Sequence, residues 1–173
     1  MAASVWRMKV SANEVMTLAT KAARGAGAPP AQAADFGRAA VRHLIAGRAP
    51  QSLTDALAAL PEGPILSLPL AFARLMENAK DETAEGKIKL DADPDLTQSY
   101  AEAQPFATET SVQKDALAVR IFLDRPNTAK PVARVDLSDD LAFLMQNLAA
   151  RILVPESEAS RRSGAGAGLT DND

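Results

Sequence analysis

The 173-residue chain has no cysteine and one histidine, and only 4% of its residues are aromatic. Without thiols there is no disulfide framework, no thiolate nucleophile and no cysteine-bound metal. With His43 the only imidazole, a two-histidine zinc motif of the H-E-x-x-H kind is excluded as well. Long apolar runs are also missing. About 18 consecutive apolar residues are the least that span a bilayer, and the opening MAASVWRMKV holds no apolar segment of signal-peptide length. A soluble, cytoplasmic protein with no membrane partner is therefore expected. Positive charge is not in surplus either: the formal net charge is -3, whereas binding a phosphate backbone needs a basic face, so no nucleic-acid partner is expected.

Apolar residues make up 47% of the chain and are mainly Ala and Leu, which implies a core of small and aliphatic side chains with helices in close approach. The length suits one domain. Charge is unevenly spread. Residues 1–50 carry seven Lys or Arg against two Asp or Glu, whereas residues 51–116 carry five against twelve. Opposed segments of this kind suit pairing between subunits as well as plain solvated faces.

Lys9 to Arg48 reads as two helices joined by a tight turn. Ser11 and Glu14 have the spacing of a capping box, and Val15, Leu18, Ala19, Ala22 and Ala26 recur at helical intervals. Gly25 and Gly27 end the first helix, and Pro29 and Pro30 preset the second, expected over Ala31 to Ala46. Its rows Phe36, Ala40, Leu44 and Ala33, Gly37, Val41, Ile45 both read as buried. Ahead of this hairpin, the loose alternation of Val5, Trp6, Met8 and Val10 suits a short strand or an extended arm.

Ser52, with Asp55 three residues on, reads as the cap of a third short helix that Pro61 stops. Next, Ile65 to Leu68 suits a buried strand or turn, and a helix is expected from near Ser67. Alternating patterns at Lys87 to Leu90, Leu117 to Leu123 and Val132 to Leu137 read as strands, and the Thr-rich residues 105–113 supply a candidate fourth. Residues 95–104 suit a turn or one helical segment. Arg125 to Thr128 reads as the connection between two antiparallel strands. Ser138 or Asp139 then caps a helix bearing Leu141, Leu144, Leu148 and Ile152. The fold class that follows is α+β: an N-terminal helical hairpin and helices, an antiparallel sheet in the second half, and a C-terminal helix packed on the sheet. Residues 1–154 form the domain, and 155–173 a Gly-, Ser- and Ala-rich tail.

Catalytic constellations do not emerge from the sequence, and no cofactor is implied. His43 sits beside the apolar face of the second helix, where such a residue is more often packed than catalytic. Asp91, Asp93, Asp95 and Glu102 trace the outline of a calcium loop. Leu96 stands where that loop needs Gly, and Pro94 stiffens the backbone, so a solvated acidic turn is the main reading. Arg161 and Arg162 followed by Gly164, Gly166 and Gly168 suggest an anion site, with Arg42 and His43, and with Arg24 and Arg38 elsewhere in the hairpin. The G-A-G-A-G spacing matches neither a dinucleotide fingerprint nor a P-loop.

Two stretches, VSANEV with KAARGAGAPPAQAADFGRAA near the start and RILVPESEASRRSGAGAGLTDND at the end, resemble a family of uncharacterised bacterial proteins, a domain of unknown function. That resemblance implies no activity, but it makes the tail look like part of the domain; composition alone reads the tail as disordered, and order at least from Val154 to Arg162 is the expectation set against that. The hairpin is also similar to the N-terminal helices of the non-Rossmann malate/lactate dehydrogenases. Where that family has a Ser-His pair, this chain reads AGRAPQSL from Ala46 to Leu53. The expectation is a non-enzymatic cytoplasmic protein working through protein contacts, as a homo-oligomer. The alternative is an enzyme or sensor that binds an anionic metabolite through arginines.

Overall fold

The computed structural model describes residues 7–90, 93–129 and 134–152. Its elements run β1 (Arg7–Ser11), α1 (Ala12–Gly25), α2 (Pro30–Ile45), α3 (Gln51–Ala58), α4 (Pro64–Glu77), β2 (Thr83–Lys89), α5 (Pro94–Glu102), β3 (Phe106–Val112), β4 (Ala116–Pro126), β5 (Arg134–Ser138) and α6 (Asp139–Ala150). Helices pack beside two small antiparallel sheets, β1-β5 and β2-β4-β3, so the fold is α+β. The expectations for Trp6, Asp91 and the tail fall outside the described residues.

The hairpin forms as its local chemistry dictates. The Ser11 amide donates to Glu14 Oε2 at 2.7 Å, and the Glu14 amide donates to Ser11 Oγ at 3.1 Å, closing the capping box. Gly27 takes a φ of 106° in the turn, and Pro30 opens α2. Val15, Ala19, Ala22 and Ala23 of α1 are buried, as are Ala33, Phe36, Gly37 and Ala40 of α2. At Gly37 the helices approach so closely that a Cβ would stand 2.7 Å from the Met16 carbonyl oxygen. Small residues here set the distance between helices. Along its other side α1 meets α6, which buries Leu141, Ala142, Met145 and Leu148 and touches the smaller sheet at β5.

Three local expectations are corrected. First, Ser52 does not cap α3; it lies inside the helix and is buried, because its hydroxyl donates to Asp93 Oδ2 at 2.5 Å. Second, Ile65 to Leu68 is no strand. It belongs to α4, which runs on through Pro69 because Ile65, Leu68 and Phe72 fall on one buried stripe. Third, Arg125 to Thr128 does not join paired strands. β4 is the centre of the three-stranded sheet, and β5 crosses to β1 in the register Met8 to Leu137 and Val10 to Val135. Val135 and Leu137 reach the core in this way, which a hairpin with β4 would deny them.

In the larger sheet, Ala84 and Ile88 of β2 and Leu117, Val119 and Ile121 of β4 turn inward. The opposite face carries Glu85, Arg120 and Glu109, which stand in register across three strands. Arg120 Nε lies 2.5 Å from Glu85 Oε1, and its Nη1 lies 3.8 Å from Glu109 Oε2.

Candidate functional site

The densest gathering of chemistry-bearing side chains lies where α5 crosses α2. His43, near the C-terminal end of α2, is fully buried rather than at the boundary, which corrects the sequence expectation. Its Nε2 is 2.8 Å from the Ala49 carbonyl oxygen and its Nδ1 is 3.0 Å from Ser99 Oγ. Gly47 places the next residue for this cluster, since its φ of 68° turns the chain back after α2. Arg48 then reaches α5, donating from Nη1 to Ser99 Oγ at 2.9 Å and to Glu102 Oε2 at 2.8 Å, and from Nη2 to Glu102 Oε1 at 2.5 Å. This is a two-pronged guanidinium–carboxylate pair, and the Arg48 side chain is only 11% exposed.

At the other end of α5, Asp93 caps the helix by accepting the Asp95 amide at 2.8 Å, while its second oxygen takes the Ser52 hydroxyl. His43, Arg48 and Ser52 thus tie α5 to three consecutive pieces of chain: α2, its following turn and α3, with the Ala49 carbonyl holding the far side of the His43 ring. Burial pushes the Asp93 carboxyl up, but the Ser52 hydroxyl and the Asp95 and Leu96 amides outweigh it and hold it below the usual range.

Hydrogen-bond supply fixes one proton of His43. A carbonyl only accepts, so Nε2 carries a proton. Ser99 has one hydroxyl proton and three neighbours: Arg48, which donates to it, Nδ1, and the Asp95 carbonyl oxygen at 2.7 Å. With a neutral ring, Ser99 donates to Nδ1. With a protonated ring, Nδ1 donates to Ser99 and the hydroxyl turns to Asp95. Burial is the main influence and holds the His43 pKa below its ordinary value; the Ala49 carbonyl opposes it, Arg48 adds to it, and Asp93 and Asp95 oppose it weakly. His43 is therefore neutral at neutral pH.

A serine beside a histidine is the pairing of nucleophilic catalysis, yet a nucleophile must touch its substrate. Ser99 and His43 are both fully buried, and both ring nitrogens are engaged inside the protein. The arrangement works as a polar clamp.

The sequence-derived candidates divide accordingly. Asp93 and Asp95 open α5 and Glu102 closes it, nine residues along a helix rising about 1.5 Å per residue, so these carboxylates do not converge. Among the described residues no group of three or more His, Asp or Glu has metal-binding geometry. Arg42 is half-buried on α2, and Arg38 pairs with Asp35 one turn away. Arg161, Arg162, Gly164, Gly166 and Gly168 lie outside the described residues. Sequence reasoning missed Arg48, Ser52 and Ser99 as a set, since they are far apart in the chain. The one available signal was Ser99 inside a helix, where a hydroxyl must return to the carbonyl four residues back or find a tertiary partner.

Deeper in the same layer, the Tyr100 hydroxyl is buried without a hydrogen-bond partner among the described residues, and burial, aided by Asp35, raises its pKa far above the usual phenol value. Open concavities lie elsewhere. One of about 540 Å³ spreads over the outer face of the three-stranded sheet around Arg120, and one of about 370 Å³ runs between α1 and α6 beneath Met8. No helix of the described residues is long and apolar enough to cross a membrane. Comparison of the chain with protein-family models, curated proteins and solved structures finds no match.

Proposed function

We propose that this chain is a cytoplasmic bacterial protein that acts by binding other protein chains, in the first place further copies of itself, and not by chemistry on a small molecule. The observation that carries this reading is the division of its polar groups. His43, Ser99 and Arg48, the side chains best suited to chemistry, are spent on one another inside the fold, while the outer edge of β2 in the larger sheet pairs with no other strand among the described residues. Such an edge is a ready template for another strand. Exposed apolar side chains point the same way, with Phe143 67% and Leu70 48% exposed. The rival reading, an enzyme or sensor for an anionic metabolite through Arg24, Arg38, Arg42, Arg161 and Arg162, needs free guanidinium groups, and Arg38 already has a carboxylate partner.

Sedimentation velocity from about 0.5 to about 50 μM, at low and high salt, tests the proposal. A species of twice the 18.2 kDa chain mass is expected at the upper end. A single 18.2 kDa species throughout removes it.

A further inference from the structure

We propose that two copies of this chain join antiparallel along the outer edge of β2, with the two-fold axis at Gly86, into one six-stranded sheet; this rests on the oligomer reading above and names its interface.

The hydrogen-bond phase of β2 sets which groups are available. The Leu123 amide donates to the Glu82 carbonyl at 2.8 Å, and the Leu90 amide donates to the Asp115 carbonyl at 3.0 Å. Bonds to β4 therefore belong to the even-numbered residues of β2, and the odd-numbered N–H and C=O groups point away from the sheet. Thr83 is already satisfied, because a tight turn through Asp81 and Glu82, both with positive φ, lets Lys80 exchange two 2.9 Å bonds with it. The outward backbone groups of Glu85, Lys87 and Lys89 bond to no other described residue.

The sequence of this edge complements itself. Reversing the strand about Gly86 sets Glu85 opposite Lys87 of the second copy, Lys87 opposite its Glu85, and Ala84 opposite its Ile88; the pairing ends there, because Lys80 already holds the place opposite Thr83. Two opposite-charge pairs form, and no like charges face each other directly. The backbone phase agrees, since Glu85 and Lys87 are the residues with outward groups. They would exchange four N–H to carbonyl bonds across the axis, and Gly86 would fall at a non-hydrogen-bonded position where the two backbones come within about 4.5 Å. Glu85 and Lys87 are both exposed, and Lys87 makes no ion pair among the described residues. On the inner face, Leu75 of α4 covers Gly86 so closely that a Cβ there would stand 2.5 Å from Leu75 Cδ1. The two-fold thus brings the half-buried Leu75 of both copies to the same side of the joined sheet.

The opposite edge lacks this property. In β3 the only charged residue is Glu109, so a two-fold at Glu109 faces like charges and one at Thr110 pairs none.

Sedimentation of the full-length chain and of three variants tests the interface. Lys87→Pro removes one outward N–H per copy and leaves every bond to β4 intact, so the monomer should fold while dimer Kd rises at least about tenfold. Lys87→Glu and Glu85→Lys each place like charges opposite one another and should weaken self-association to a similar degree. Mixing these two in equal amounts pairs two acidic positions with two basic ones, and dimerisation should return to within about threefold of the original. Arg120 keeps Glu109 in the Glu85→Lys variant, and a circular-dichroism melt of each monomer checks its fold. A dimer that Lys87→Pro and Lys87→Glu leave unchanged overturns this edge while the oligomer reading stands. A chain that is monomeric throughout overturns both.

Discussion

The α1–α2 contact and the α2–α5 contact share one helix and are built on opposite principles. Against α1, the face of α2 offers Ala33, Gly37 and Ala40, which carry no polar side-chain atom, and cohesion comes from close approach of backbones. Against α5, near the C-terminal end of the same helix, it offers His43, and cohesion comes from a set of bonds in which every partner must be present. The first contact tolerates changes that keep volume small and fails when volume is added. The second tolerates little loss of a partner, because a buried polar group left unpaired costs more than its bond contributed.

The largest effect should come from adding volume to the dry contact. Gly37→Ala sets a Cβ against the Met16 carbonyl and the Thr20 hydroxyl, and one of those groups is backbone, so the helices must separate. A loss of about 3 kcal/mol is expected in urea unfolding, near the top of the range for overpacking. A Gly37→Ala protein as stable as the parent would mean that the hairpin is looser than its spacing implies.

A smaller loss should follow from removing one partner of the clamp. Glu102→Ala leaves a guanidinium that is 11% exposed without its carboxylate, and about 2 kcal/mol should be lost. Glu102→Gln, which keeps one acceptor, should recover part of this. Equal losses in the two variants would show that packing and not the bond is at stake.

The third and smallest effect is one of pH. His43 has a folded pKa below its ordinary 6.5, so between the two values the unfolded chain binds a proton that the folded chain does not. Stability contributed by the neutral ring is complete above about pH 6.5 and is lost as pH falls toward the folded value. Glu14 and Asp93 also have lowered pKa values, but their ordinary values of 4.5 and 3.8 put their loss further into acid. Thermal melts at pH 7 and pH 5 should therefore differ in the parent chain, and His43→Gln, though less stable at pH 7, should flatten that difference. A parent chain with the same Tm at both values would count against the buried neutral ring.

How much of this was legible in the chain follows from the range of the forces involved. The hairpin was legible because a capping box, a glycine turn, a proline start and a three-and-four stripe act within a few residues of one another. The strands were legible as alternation, although β2 begins four residues earlier than its pattern suggested and α4 absorbed a short apolar run that propensity alone leaves ambiguous. Strand partners were not legible. β5 looks like a continuation of the β4 hairpin until the register with β1 shows where its apolar face is buried.

By itself, then, the sequence determined the absence of thiol chemistry, a core of small residues and the positions of most helices, all of which depend on composition or on neighbours along the chain. Only the tertiary structure decided that His43 is wholly buried, that Arg48 faces Glu102 across more than fifty residues, and that Ser52 answers Asp93 instead of capping its own helix. Those outcomes depend on which helices come to lie against one another. A side chain's local pattern records its place on its own helix, not the partner that waits on the next.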